Sequence, residues 1–202
     1  MQLQAALFDL GGVVLDVDFN YALDHWARRS RLPADEVRRR FSVDEPYRHH
    51  ETGALPFTGY FEHLRQLLEL DADEAYVRQG WNAILLREIA DTVALIDRLR
   101  QRVPCHALSN TNAAHVQAIG ELFPQLLPRF QRVFVSHEIG HRKPAPESFL
   151  HVVQALDVPA GAILFFDDLP ENVQAARQVG MDAVLVRGPA DVRTAVEARG
   201  LL

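Results

Sequence analysis

Ala5-Ala6-Leu7-Phe8-Asp9-Leu10-Gly11-Gly12-Val13-Val14 is the stretch that decides the fold. An apolar run meets one aspartate and then turns on two glycines. Runs of this length bounded by glycine read as strands buried on both faces, as in parallel sheets. Asp9 then stands at the strand's C-terminal end, the edge where open α/β sheets take their ligands. An acid there is equally the mark of a plain turn, so the rest of the chain must decide between the two.

From Ile89 onward the chain alternates helix and strand. Helices are expected over 89–102, 112–122, 146–156, 170–179 and 190–199. Strands are expected over 105–108, 133–135, 162–166 and 183–186. Gly180 closes the fourth of these helices as a stop signal. With 5–8 this makes five strands joined by helices, hence a doubly wound parallel α/β sheet of the Rossmann-like kind. Between the first strand and residue 89 the pattern is helical instead: 19–32, a helix opening at Pro33-Ala34-Asp35-Glu36, then 57–70 and 72–86, with 51–56 as a loop. Leu15-Asp16-Val17-Asp18 alternates like a short flap. The expected division is therefore a core of residues 1–15 and 87–202, with a four-helix cap inserted over 16–86.

Composition narrows the classes. The 202 residues are 48% hydrophobic and 24% charged, enough for one core and a smaller accessory domain. A net charge of −6 without a long basic run argues against nucleic acid as a partner and means that an anionic substrate needs a local cation. The single cysteine, Cys105, lies in an apolar run and reads as core. It can form no intrachain disulfide, which fits a reducing, cytoplasmic compartment. The N-terminal apolar run has no basic flank and is interrupted by Asp9, so neither a signal peptide nor a membrane span is expected.

Polar groups gather at four strand ends or adjoining loops: Asp9, Ser109 with Asn110, Lys143, and Asp167 with Asp168. Oxygen ligands from two loops suit Mg²⁺, which keeps several waters and meets substrate phosphate. A carboxylate beside such an ion can attack phosphorus. A lysine and a hydroxyl can take up the charge that develops on phosphoryl oxygens.

Taken in order, Phe8-Asp9-Leu10-Gly11-Gly12-Val13, Leu108-Ser109-Asn110, Arg142-Lys143-Pro144 and Phe165-Phe166-Asp167-Asp168 resemble the haloacid dehalogenase superfamily over the whole chain. The resemblance implies Asp9 as nucleophile and Ser109, Asn110 and Lys143 as phosphate binders. Lys143 would also steady Asp9. It implies a Mg²⁺ site of Asp9, the Gly11 carbonyl, Asp168, and Asp167 directly or through water. The implied reaction is hydrolysis of a small phosphomonoester through an aspartyl-phosphate, by a monomer or homodimer.

One position departs. The family's phosphatases usually carry a second aspartate where Gly11 stands, to protonate the leaving oxygen and later activate water. Its dehalogenases carry a bulky aromatic there. Asp9-Leu10-Gly11-Gly12-Val13 with Asp16-Val17-Asp18-Phe19-Asn20 resembles a subgroup acting on α-D-glucose 1-phosphate, which makes a sugar 1-phosphate the narrower expectation. A haloacid-type dehalogenase, or a binding protein that kept the fold after losing catalysis, are the alternatives. His49, His50, Asp16 and Asp18 are candidates for the missing proton donor, although loop and capping roles suit them as well. Trp26 and Trp81 read as cap core, with sugar stacking as the rival role.

Overall fold

The computed structural model describes residues 2–202. Five strands form one parallel sheet: β1 Ala5–Phe8, β4 Cys105–Ser109, β5 Arg132–Val135, β6 Ile163–Asp167 and β7 Asp182–Leu185. Their spatial order is β5-β4-β1-β6-β7, with β1 at the centre. The chain leaves β1, builds one half outward through β4 to β5, then crosses to β6 and β7. Asp9 follows β1 at this reversal of strand order, where a crevice opens at the carboxyl ends.

Alternation along the central strands explains why the sheet is covered on both sides. Ala6, Phe8, Leu164 and Phe166 face one way, joined by Val93, Ile96 and Leu99 of α6 (Ala90–Leu99) and Val192 and Val196 of α11 (Pro189–Glu197). Ala5, Leu7, Ile163 and Phe165 face the other, against Phe149 and Val152 of α9 (Pro146–Leu156) and Val173 and Ala176 of α10 (Pro170–Val179). Every residue of β1, β4 and β6 is buried, as central parallel strands require.

The insertion has five helices rather than the expected four: α1 Asn20–Ala27, α2 Ala34–Arg40, α3 Glu45–Glu51, α4 Phe57–Leu67 and α5 Glu74–Asn82. The additional one is α3, begun by Asp44, whose carboxylate accepts from Tyr47 N–H, with Pro46 in the first turn. The first helix stops at Ala27, short of residue 32. Ser30 there donates its hydroxyl to Leu68 O and bridges to Leu70. The last stops at Asn82, short of residue 86. Leu85–Glu88 instead forms β3, antiparallel to β2 (Leu15–Val17), with Asp16 and Arg87 paired 2.7 Å apart. Both chain connections between the insertion and the core run through this two-stranded flap. Trp26 and Trp81 stack in the insertion's own core, both fully buried, which leaves neither able to stack on a sugar.

Two further helices, α7 Ala113–Leu122 and the single turn α8 Ser136–Ile139, and two 3-10 turns, Leu127–Arg129 and Ala160–Ala162, complete the described chain. The insertion is fastened to α7 through His115 and Asn112. Trp81 lies parallel to His115 at 4.9 Å, and His115 Nε2–H donates to Trp81 O at 2.9 Å. Asn112 caps α7, accepts from Trp81 Nε1–H and fills the other His115 nitrogen. None of the helices among the described residues is long and apolar enough to cross a membrane.

Candidate active site

The expected residues come together in a cavity of about 280 Å³ between sheet edge, flap and insertion. Asp9, Gly11, Ser109, Asn110, Lys143 and Asp168 all line it. Asp9, Asp167 and Asp168 each place a carboxylate oxygen within 4.8 Å of the others. This follows from topology: β1 and β6 are neighbours, so acids at both C-terminal ends must meet.

Lys143 is the pivot. Its side chain is 1% exposed, with Nζ 2.9 Å from Asp9 Oδ1 and 2.7 Å from Asp167 Oδ2. The loop that carries it is clamped by Asn110, whose amide donates to Lys143 O and accepts from Lys143 N–H, each at 2.8 Å. The Asn110 side chain is thereby committed to the backbone of this loop, and only its own N–H remains to meet a phosphate. Ser136 holds the same corner, exchanging hydrogen bonds with the N–H and carbonyl of Thr111.

The three acids differ in what surrounds them. Asp9 Oδ1 accepts from Leu10 N–H at 2.7 Å as well as from Lys143, and Oδ2 lies outside both contacts. Burial, opposed by Lys143 and reinforced by the carboxylates of Asp167 and Asp168, leaves the Asp9 pKa raised to about 7. Asp167 is wholly enclosed. Oδ2 meets Lys143, while Oδ1 accepts from Leu169 N–H and Asn172 Nδ2–H, both at 2.9 Å. Asp168 is partly exposed, and its pKa is raised by burial and then by Asp167. Three acids face one lysine, a donor set with room for a divalent cation.

Gly12 makes the crowding possible, and composition or spacing could not single it out. Its φ is +74°, and a Cβ there would sit 2.3 Å from Asp168 Oδ2. Gly11 is ordinary by contrast: its nearest neighbour to a Cβ would be Val17 Cγ2, at 3.4 Å.

The candidates for a substitute proton donor lie elsewhere. His50 Nδ1 is bonded to Leu55 O and its ring stacks on Tyr60; His49 faces Glu45; Asp18 caps Asn20; Asp16 is paired with Arg87. The acid that the insertion does bring to the cavity is Glu51. It is buried and paired with Arg142 at 2.7 Å, across 91 positions of sequence. Burial raises the Glu51 pKa against the pull of Arg142. Glu51 lies in His50-Glu51-x-Gly53, but nothing in that spacing names Arg142 as its partner.

A model of haloacid dehalogenase-like hydrolases matches residues 3–180. D-ribitol-5-phosphate phosphatase of Bacteroides thetaiotaomicron is 25% identical over 93% of both chains. A phosphatase of Mycobacterium tuberculosis is 29% identical, over 97% of this chain and 93% of its own. In three dimensions the fold superposes on a haloacid dehalogenase-family enzyme of Bacteroides thetaiotaomicron, solved with magnesium and inorganic phosphate. The TM-score is 0.83 at 21% identity, covering 92% of this chain and 95% of that one. Strand order, inserted helices and the family match over most of the length agree: this chain belongs to the haloacid dehalogenase-like hydrolases.

Proposed function

We propose that this hydrolase is a Mg²⁺-dependent phosphatase that cleaves a small phosphomonoester through an aspartyl-phosphate on Asp9. The observation that carries the reading is Asp9 held by a buried lysine within 4.8 Å reach of two further acids. The full-length likeness to two phosphatases supports it over a dehalogenase, and the complete set of acids and lysine supports it over a catalytically silent binding protein.

The acids fit a magnesium ion on their chemistry, since three carboxylates against one ammonium leave negative charge to be neutralised. Asp9, Asp168 and the Gly11 carbonyl would hold it. Both oxygens of Asp167 are already engaged by Lys143, Leu169 and Asn172, so Asp167 would contribute its charge to the ion rather than a free oxygen. Bound there, the ion supplies positive charge to the phosphoryl oxygens.

In the first step a carboxylate oxygen of Asp9 forms a bond to phosphorus as the bond from phosphorus to the leaving oxygen breaks. Lys143 holds Asp9 in place and opposes the rise in its pKa that burial causes, while Ser109 and the Asn110 N–H receive phosphoryl oxygens. In the second step water adds to the phosphorus of the acyl phosphate, the bond to Asp9 breaks, and inorganic phosphate leaves. Gly11 offers no acid, so the leaving oxygen departs without a proton from that position. Esters of acidic hydroxyls are therefore preferred, among them sugar 1-phosphates and aryl phosphates.

Phosphate release from small phosphomonoesters, with Mg²⁺ and with chelator, tests this. Acid-quenched reactions should yield phosphate bound to the peptide that contains Asp9. Turnover that is indifferent to chelator, or no labelled peptide under single-turnover conditions, counts against the mechanism.

A further inference from the structure

Among esters with acidic hydroxyls, the walls of the cavity discriminate. Facing the acids are Val17 and Leu85 of the flap, Phe19, Val43 and Ile84 of the insertion, and Leu169 after β6. They come from three separate parts of the chain and converge on one space. Val43 and Leu169 are 45% and 43% exposed, among the few large apolar side chains left open to solvent.

The one acid the insertion brings to this space, Glu51, is spent on Arg142 Nε at 2.7 Å. Asp16 and Asp18, the polar members of the tract that suggests a sugar, are turned to Arg87 and Asn20 instead. Hydroxyls of a polyol set against these apolar walls would lose water without a partner there, which disfavours binding. An apolar group would be buried by the same walls at a gain.

We infer that the leaving group of the physiological substrate is apolar and aromatic, a phenol-type aryl alcohol, seated between the flap, Val43 and Leu169. This rests on the phosphatase reading and specifies its substrate class. It also accounts for Gly11 without a substitute acid. A phenoxide leaves without protonation far more readily than an alkoxide, and a hydrocarbon ring or chain needs no hydrogen bonds.

The test separates hydrophobic contact from leaving-group acidity. The kcat/KM is measured with Mg²⁺ for phenyl, 4-ethylphenyl and 4-butylphenyl phosphate, whose phenols differ little in acidity. Glucose 1-phosphate and ribitol 5-phosphate are measured beside them. The expected result is a rise of about fourfold for each methylene buried until the cavity is filled, with both sugar phosphates below phenyl phosphate. Val43→Asn and Leu169→Asn, at exposed positions the fold does not need, should each flatten the rise by raising KM for the longer esters. A flat or falling series, or a sugar phosphate outpacing phenyl phosphate, with turnover still Mg²⁺-dependent, overturns the inference and leaves the phosphatase reading standing. No phosphate release from any of the five overturns both.

Discussion

Lys143 Nζ bridges Asp9 Oδ1 at 2.9 Å and Asp167 Oδ2 at 2.7 Å with its side chain closed to solvent. One cation thus fixes the nucleophile candidate of β1 to the innermost acid of β6. Burial alone would strip its proton, but the two carboxylates outweigh burial and raise the Lys143 pKa. The ion pair ties β1 to β6, and the same ammonium lines the cavity where phosphoryl charge would develop in the proposed reaction.

Lys143→Met keeps the bulk of the side chain and removes the charge. Asp9 and Asp167 then confront each other without a cation. We expect kcat/KM to fall by roughly 10²–10³-fold and stability at pH 7 by about 3–5 kcal/mol, the cost of breaking a buried pair. Denaturant midpoints should converge toward wild type as pH falls and Asp9 takes up a proton. Equal stability of the two proteins at pH 7 would show that the lysine is not needed to offset them.

Asp9→Asn should abolish turnover and change proton release on metal binding. With its pKa near 7, Asp9 is about half protonated at neutral pH before the ion arrives. A cation favours the ionised form, so Mg²⁺ binding to wild type should expel about half a proton at pH 7. Calorimetric titrations in buffers of different ionisation enthalpy measure this directly. The Asn variant should bind more weakly and lose the share of the release that belongs to Asp9. A wild-type titration with no proton release would place the ion away from Asp9.

Most of the site was legible in the sequence because it sits at strand ends. Apolar runs mark the strands, and topology carries Asp9, Ser109, Asp167 and Asp168 to one edge. Contacts that depend on distant pairing were not legible. Leu85–Glu88 keeps helical apolar spacing, and only its partner Leu15–Val17 turns it into a strand. Asn110 looks like a phosphate ligand until its amide is found clamping Lys143. The missed α3 did have a local signal, Asp44-Glu45-Pro46, hidden by reading the histidines after it as a loop.

Gly12→Ala tests the close approach to Asp168. A methyl group there meets Asp168 Oδ2 at 2.3 Å, and φ of +74° disfavours any side chain. The carboxylate must turn aside, so the Mg²⁺ concentration for half-maximal activity should rise roughly 10–100-fold. The backbone should cost about 1–2 kcal/mol of stability. An unchanged Mg²⁺ dependence would take Asp168 out of the metal site.

His115 links the inserted helices to pH. Burial lowers its pKa to about 4, against the pull of its bond to Trp81 O. An unfolded histidine titrates near 6.5, so the unfolded chain binds the extra proton between these values. His115 therefore contributes full stability above pH 6.5, and the contribution is lost as pH falls toward 4, by up to about 3 kcal/mol. His115→Phe keeps a ring against Trp81 but cannot titrate. It should be less stable than wild type at pH 7, with a smaller deficit at pH 4.5. A deficit that stays constant across that range would mean His115 titrates as it does in the unfolded chain.

Gly11→Asp addresses the missing acid. A positioned general acid contributes roughly 10²–10⁴-fold where the leaving group needs a proton. Wild type, with none at this position, should show a rate that climbs steeply with leaving-group acidity from alkyl to aryl phosphates. The new side chain is admissible: Gly11 has no left-handed backbone, and its Cβ would touch only Val17, at ordinary contact distance. The variant should gain most on alkyl phosphates and little on aryl phosphates, flattening the dependence. The measurement is kcat/KM across a graded series for both proteins, with phosphate followed directly. If wild type already treats alkyl and aryl phosphates alike, a proton reaches the leaving oxygen from elsewhere. Glu51 would then be the group to replace. It shares the cavity with Asp9, and burial holds its carboxyl above the usual range even beside Arg142. His50 and Asp18 do not line the cavity and are not placed to substitute.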